Sequence, residues 1–261
     1  MLAFFSIIIF TLGSIITNEV IKSKSHSKYK NIINDFSEYN LSDRKGAKRE
    51  IMIDQFTNSK KIKILICGDS HGADLTMALQ SNKNIHKKYE VEFIHFLDCI
   101  NEEPLLIKNA DYIFSSIQLK GKNNLTYNDI KKLYNIVTIK NNKKFVIVGA
   151  SPEFQTDADL LLNYLTITNI KKEEVINNVN NINKFFFKNK KTYISTINKK
   201  LLKISKELDV IFLDKFDLIC KEKDKICYGV DLKGNKNFID YSHFSKNGRA
   251  FFGNKIVDTN W

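Results

Sequence analysis

The 261 residues, 43% of them hydrophobic, are enough to bury one sizeable core, which excludes a disordered chain over most of the length. A formal charge of +12 suits a polyanion, but the lysines are spread through every segment without a cluster interleaved with aromatics, so no nucleic-acid partner is expected. Four cysteines with no CxxC pair exclude a disulfide-dense scaffold and a structural zinc site.

Residues 1–20, MLAFFSIIIFTLGSIITNEV, are uncharged from Leu2 through Asn18, about the length of a helix that crosses a bilayer. A basic start and a small-residue cleavage site are both missing, so the stretch reads as an uncleaved membrane anchor helix. The lysine-rich flank IKSKSHSKYK favours the cytoplasm by the positive-inside tendency, unless helices ahead of it in a longer protein set the orientation. Residues 21–58 are polar, with Ile32, Ile33, Phe36 and Tyr39 at helical spacing, and predict a juxtamembrane helix and linker. The main domain is expected over residues 59–261.

Within it, strand-like runs at 62–67, 90–97, 111–117, 144–149 and 210–213 alternate with amphipathic stretches at 72–81, 126–140, 157–190 with breaks, and 192–208. Strands separated by helices predict βαβ crossovers and a three-layer α/β domain with a parallel sheet. In such sheets ligands bind outside the carboxyl ends of the strands. Ser70, in the turn GDSH after the first strand, lies there, and Pro152 in VGASPEF bends the chain across the same edge after the fourth. Residues 228–239 predict a hairpin with a Gly-Asn turn, and Ser245 is placed to cap a closing helix that carries Ala250, Phe251 and Ile256 onto the core.

A serine hydroxyl is a poor nucleophile unless a base removes its proton and donors stabilise the resulting oxyanion. A strand-to-helix turn supplies free backbone N–H groups, and Gly68 permits a tight approach. The structural alternative is that Asp69 or Ser70 only caps the helix. A base is offered by DYSH near the C-terminus, where Asp240 and His243 stand three apart, so that the carboxylate can hold Nδ1 while Nε2 faces the serine. Cys220 and Cys227 bracket KEKDKI, a loop that a disulfide worth roughly 2 to 3 kcal/mol can close; two reduced cysteines are the other reading.

With GDSH as first block and DYSH as last, the sequence resembles the SGNH (GDSL-type) hydrolase superfamily. More narrowly, it is similar to the extracytoplasmic SGNH domain of type 3 membrane acyltransferases, which O-acetylate bacterial surface polysaccharides. VIVGASPEF, VIFLDKFDLIC with the second cysteine beyond it, and IDYSHFSKNG carry the likeness over about residues 60–258. It implies a flavodoxin-like sheet, Ser70 as nucleophile, His243 as general base, Asp240 as its orienter, and an oxidised Cys220–Cys227 pair. It also implies an extracytoplasmic domain on a membrane helix, a glycan acceptor, and acyl groups delivered by a membrane acyltransferase module in the same longer chain or a separate one. An esterase acting on acylated glycans, and an idle glycan-binding domain, are the alternatives.

The superfamily's second and third blocks normally give a Gly N–H and an Asn amide to the oxyanion hole, and neither stands here. Gln118 at the end of the third strand is the expected substitute and Ser116 the second choice; an exposed strand-end Gln is the other reading. Of the rest, His71 neighbours the nucleophile and is expected to face solvent from the helix start, with a substrate contact as the other reading; His95 is expected to be a core histidine, and Cys67 a packing residue within possible reach of Cys99. The phenylalanines of KFFFKN read as core or helix-face residues. Asp98, Glu102 and Glu103 form no pattern that names a metal. No metal or organic cofactor is expected, because serine, imidazole and carboxylate complete the chemistry.

Overall fold

The computed structural model describes residues 56–57, 60–102, 104–119, 125–155 and 160–259. The anchor expected over residues 1–20 and nearly all of the segment expected over 21–58 lie outside these. Among the described residues no helix is long and apolar enough to cross a membrane.

The apolar runs form five parallel strands, β1 (Ile62–Gly68), β2 (Tyr89–His95), β3 (Tyr112–Ser116), β4 (Lys144–Val148) and β5 (Ile211–Leu213). Their order is β2-β1-β3-β4-β5, the doubly wound arrangement of flavodoxin-like sheets. Register places Gly68 opposite His95 on one side and Ser116 on the other. The residues that follow β1 and β3 therefore emerge side by side where the strand order reverses.

Between and after the strands lie α1 (Ser70–Ser81), α2 (Lys83–Lys88), α3 (Phe96–Asn101), α4 (Leu105–Asn109), α5 (Tyr127–Tyr134) and α6 (Leu160–Thr168). They are followed by α7 (Val179–Lys188), α8 (Tyr193–Glu207), α9 (Lys215–Ile219) and α10 (Lys246–Asp258). Because strand side chains alternate, the sheet serves two cores. Leu65, Cys67, Ile113, Phe145 and Ile147 face the larger, packed with Ile100, Leu106, Ile130, Ile182 and Ile197 from the helices. Ile64, Ile66, Val91, Phe93 and Val148 face the smaller, under Leu75 and Leu79 of α1, Ile85 of α2 and Ile256 of α10.

Several expectations are corrected. Phe96 and Leu97 leave the second strand for α3, because Phe96 and Cys99, one helical turn apart, both enter the larger core. Cys67 is more than packing: it forms a disulfide with Cys99, which ties the end of β1 to α3. The helix expected over 126–140 becomes π-helical at Asn135–Lys140, where Asn141 Nδ2 donates to the Ile136 carbonyl and takes an acceptor from the helical ladder. The hairpin over 228–239 reduces to one bridge, Val230 with Lys236. There the Asp231 carboxylate accepts from the N–H groups of Lys233 and Asn235, which closes the loop as an Asx turn, and Gly234 takes φ +79°. A second disulfide joins Cys220 and Cys227 across a short antiparallel pair.

Candidate active site

The GDSH turn is shaped by its first two residues. A Cβ on Gly68 would lie 2.6 Å from the Ser116 carbonyl and 2.8 Å from Gly72 Cα, so only glycine lets β1 and α1 approach β3 this closely. Asp69 is the N-cap of α1: Oδ1 accepts from His71 N at 2.9 Å and Oδ2 from Gln118 N at 2.7 Å, which pins the turns after β1 and β3 together. Ser70 is left half-buried as the first residue of the helix.

The partner loop is anchored on an aromatic cluster. Phe238 and Phe244 pair as a bridge, pack on Phe252, and frame the five residues between them, while Ile239 N donates to the His243 carbonyl. The loop folds around the Asp240 carboxylate, whose Oδ1 accepts from Ser242 N at 2.9 Å and His243 N at 2.8 Å. Gly248 lets α10 lie against this segment, since a Cβ there would stand 2.0 Å from the Asn237 carbonyl. The chain around Pro152 meets the same loop, as Phe154 N donates to the Tyr241 carbonyl at 2.9 Å.

These two turns, 173 residues apart in sequence, place His243 Nε2 2.9 Å from Ser70 Oγ. His243 Nδ1 stands 2.9 Å from Asp240 Oδ2 and 3.0 Å from Oδ1. With the proton on Nδ1 donated to the carboxylate, Nε2 presents its lone pair to the serine hydroxyl. Burial alone raises the Asp240 carboxyl, but the hydrogen bond and charge of His243, with the two backbone N–H groups, outweigh it and hold the group well below the usual carboxylate range. The carboxylate is therefore ionised throughout the neutral range.

Two further residues support the pair, and neither was evident from the sequence. His71, expected at the surface, is 5% exposed and its ring stacks on His243 with centroids 4.7 Å apart and planes 11° off parallel. Its burial follows from Asp74, one turn along α1, which accepts from Phe244 N at 3.0 Å and draws the histidine loop over the helix start. Burial first, then the nearby His243 and Lys215, push the His71 imidazole well below its ordinary value, so it is neutral when His243 gains a proton. Lys215, in the stretch VIFLDKFDLIC, is 1% exposed, with Nζ 3.4 Å from the His71 carbonyl and from Ser116 Oγ. Burial lowers it to about 8 against the opposing pull of Asp69 and Asp74. The local sequence signal for it is weak, a lysine beside Asp214 and Asp217 within a run of apolar residues.

The two expected oxyanion substitutes are otherwise occupied. Gln118 is buried, and its Nε2 donates to the Ser151 carbonyl at 3.2 Å and to Glu153 Oε1 at 2.9 Å. Glu153 also accepts from Tyr193 and Lys191, and these bonds hold its carboxyl low despite burial. Ser116 is fully buried beside Lys215. Among the described residues, the Ser70 N–H at the positive end of α1 is one first-turn donor that the Asp69 cap does not use. His95 sits half-buried at the end of β2, edge-on to Phe93.

His71, Asp74 and His243 bring one ligand-type atom each within 4.8 Å of one another. Holding a cation there requires His243 to release Ser70 or Asp240, and Asp74 to loosen its contacts with Phe244 N and Arg249.

The fold is SGNH-like. It is similar to the periplasmic domain of the Salmonella ser. Paratyphi A lipopolysaccharide acetyltransferase, with TM-score 0.60 and 14% identity over 90% of this chain and 96% of that one. A GDSL-like lipase from Bacteroides thetaiotaomicron VPI-5482 aligns with TM-score 0.46 and 11% identity over 84% of this chain and 95% of that one, too distant to add to the assignment. No protein-family model matches the sequence, and no curated protein matches it.

Proposed function

We propose that the chain is a serine-dependent acyl-transfer enzyme that carries an acyl group, acetyl in the first instance, to a hydroxyl of a cell-surface polysaccharide. The observation that carries the reading is the continuous contact from Ser70 Oγ through His243 to Asp240. Ser70 Oγ attacks the carbonyl carbon of the donor ester while its proton passes to His243 Nε2, and Asp240 stabilises the imidazolium that forms. The Ser70 N–H and the dipole of α1 face the charge that develops on the carbonyl oxygen. Collapse expels the donor's leaving group, which takes the proton from His243, and leaves an acyl-serine. An acceptor hydroxyl then gives its proton to His243, attacks the acyl carbon, and frees Ser70 with its proton restored.

Hydrolysis uses the same side chains with water as acceptor. The glycan reading draws support from the likeness to the periplasmic domain of a lipopolysaccharide acetyltransferase. Two fully buried disulfides favour an oxidising compartment outside the cytoplasm. Membrane attachment through residues 1–20, and acyl delivery by a membrane acyltransferase module, belong to the same proposal. The test supplies a chromogenic acetyl ester with and without a candidate polysaccharide. Ping-pong kinetics, a fluorophosphonate adduct on Ser70 and acetylated polysaccharide are expected. Acetate as sole product across acceptors points to an esterase, and an unlabelled Ser70 with no turnover sinks the catalytic reading.

A further inference from the structure

Lys215 is a buried ionisable group that the steps at Ser70 do not use. It stands first in α9, just beyond β5, which is two strands from β3 in the sheet. From there Nζ donates to the His71 carbonyl in the first turn of α1 and to Ser116 Oγ at the end of β3, each at 3.4 Å. Both acceptors are neutral and both contacts are long. Taking an ammonium out of water is costly unless ionic partners and hydrogen bonds offset the loss. Asp69 and Asp74 attract this one through space, but among the described residues neither forms a salt bridge with it. Asp214 and Asp217, on its own element, are engaged elsewhere: Asp214 accepts from Asp217 N at 3.0 Å, and Asp217 pairs with Lys221 at 2.6 Å. A side chain of the same length without charge would fill the space and avoid the desolvation, so packing alone does not account for a lysine here.

The two carboxylates that attract it are those that set the geometry of the site. Asp69 accepts from Gln118 N and fastens the turn after β1 to the turn after β3. Asp74 accepts from Phe244 N and fastens the histidine loop to α1. Ser70 follows Asp69 in the chain and His243 precedes Phe244, so the 2.9 Å between Ser70 Oγ and His243 Nε2 depends on both bonds. Like charges repel, and Arg249, 3.7 Å from Asp74, opposes that repulsion from α10 alone. Lys215 supplies the second positive charge from α9 and is bonded to α1 and β3 besides. The same charge, with burial and His243, keeps the stacked His71 ring neutral.

We propose that Lys215 is a positioning residue of the acyl-transfer site: its buried charge holds Asp69 and Asp74 in place together, fixes the approach of His243 to Ser70, and lowers folding stability in doing so. Its effect on rate rests on the acyl-transfer reading, whereas its hold on the two turns does not. The test uses Lys215→Met in the full chain in detergent, which keeps the length of the side chain and removes the charge. On a chromogenic acetyl ester kcat should fall roughly 10- to 100-fold with KM little changed, the loss expected when a reacting pair is misplaced. The thermal midpoint should stay at or above that of the parent, because Asp69 and Asp74 keep their other partners and the buried ammonium is gone. In amide NMR spectra the Gln118 and Phe244 resonances should both move in the variant while that of Ile113, within β3, stays fixed. Those spectra need no turnover: an inactive parent refutes the proposed function, and the two amides then decide the role of Lys215 by themselves. A midpoint lowered by several degrees, or a variant that does not fold, makes Lys215 a structural residue and overturns the proposal. An unchanged kcat in an active enzyme overturns it too, as do Gln118 and Phe244 amides that stay where they are in the parent.

Discussion

At the carboxyl edge of the sheet, polar and ionisable side chains are buried: His71, Asp74, Glu153, Lys215 and His243 are each less than 9% exposed. On the face that β3 to β5 turn toward α10, the reverse holds, and apolar Ile211 and its neighbours meet solvent. Both regions depart from the ordinary sorting of residues, in opposite directions. Desolvated polar groups have to be held by one another, which orders them for chemistry, whereas an uncovered apolar face stores association energy for something that packs on it. Substitutions at the edge should therefore spare stability and remove activity, and those at the sheet's interior supports should do the opposite.

The sharpest way to break that division is at the edge itself. Ser70→Ala and His243→Ala should each lower kcat by about 10^4-fold or more, with thermal midpoints close to the parent; turnover near the parent value refutes the mechanism. Asp240→Asn, which leaves the imidazole held in the wrong tautomer, should cost about 10^3- to 10^4-fold. Steady-state assays on a chromogenic acetyl ester measure all three. His71 offers a finer test, because its ring is a support and not a reactant. His71→Ala should reduce kcat by roughly 10- to 100-fold with KM little changed, and His71→Phe, which preserves the stack, should recover most of it. Equal loss in both variants assigns His71 a role other than stacking.

On the side of stability, replacing Cys67 and Cys99 by alanine together should cost about 4 kcal/mol, and replacing Cys220 and Cys227 about 2.5 kcal/mol, because the first bond closes the longer loop. Denaturant titration ranks them, and the reverse order contradicts the loop argument. The smallest effect expected is at Glu92, whose carboxyl is raised to about 7, first by burial and then by Glu90. Between about 4.5 and 7 the folded state keeps a proton that the unfolded chain has lost, so this group's contribution declines as pH rises through that window. Glu92→Gln should accordingly raise Tm by a few degrees more at pH 8 than at pH 4.5. An equal change at both values removes titration of Glu92 as the cause.

Ser70, Asp240 and His243 can be read from the sequence because each belongs to a four-residue motif whose local spacing already implies a geometry. The parallel sheet follows from β-branched runs separated by helices, and so does the position of Ser70 after β1, whereas the strand order is implied only by the resemblance to the SGNH superfamily. What escapes a linear reading depends on contacts between distant segments. His71 looks like a surface helix residue until Phe244 N reaches Asp74 and closes the loop over it. Cys67 and Cys99 are 32 residues apart, and only the start of α3 at Phe96 turns the second toward the first. Gln118 has the right functional group for an oxyanion donor, but Ser151 and Glu153, which take its amide, lie across the next connection.

The bond between Cys67 and Cys99 has a consequence for handling the molecule. Both sulfurs belong to residues with no solvent exposure, one immediately before Gly68 and the other inside the larger core. A reductant in solution meets them only after β1 and α3 separate, so the rate at which a mild thiol breaks this bond measures how often the floor beneath the serine comes apart. Followed by alkylation and mass spectrometry, that rate is a clock for the opening of the sheet, and it needs no substrate to read.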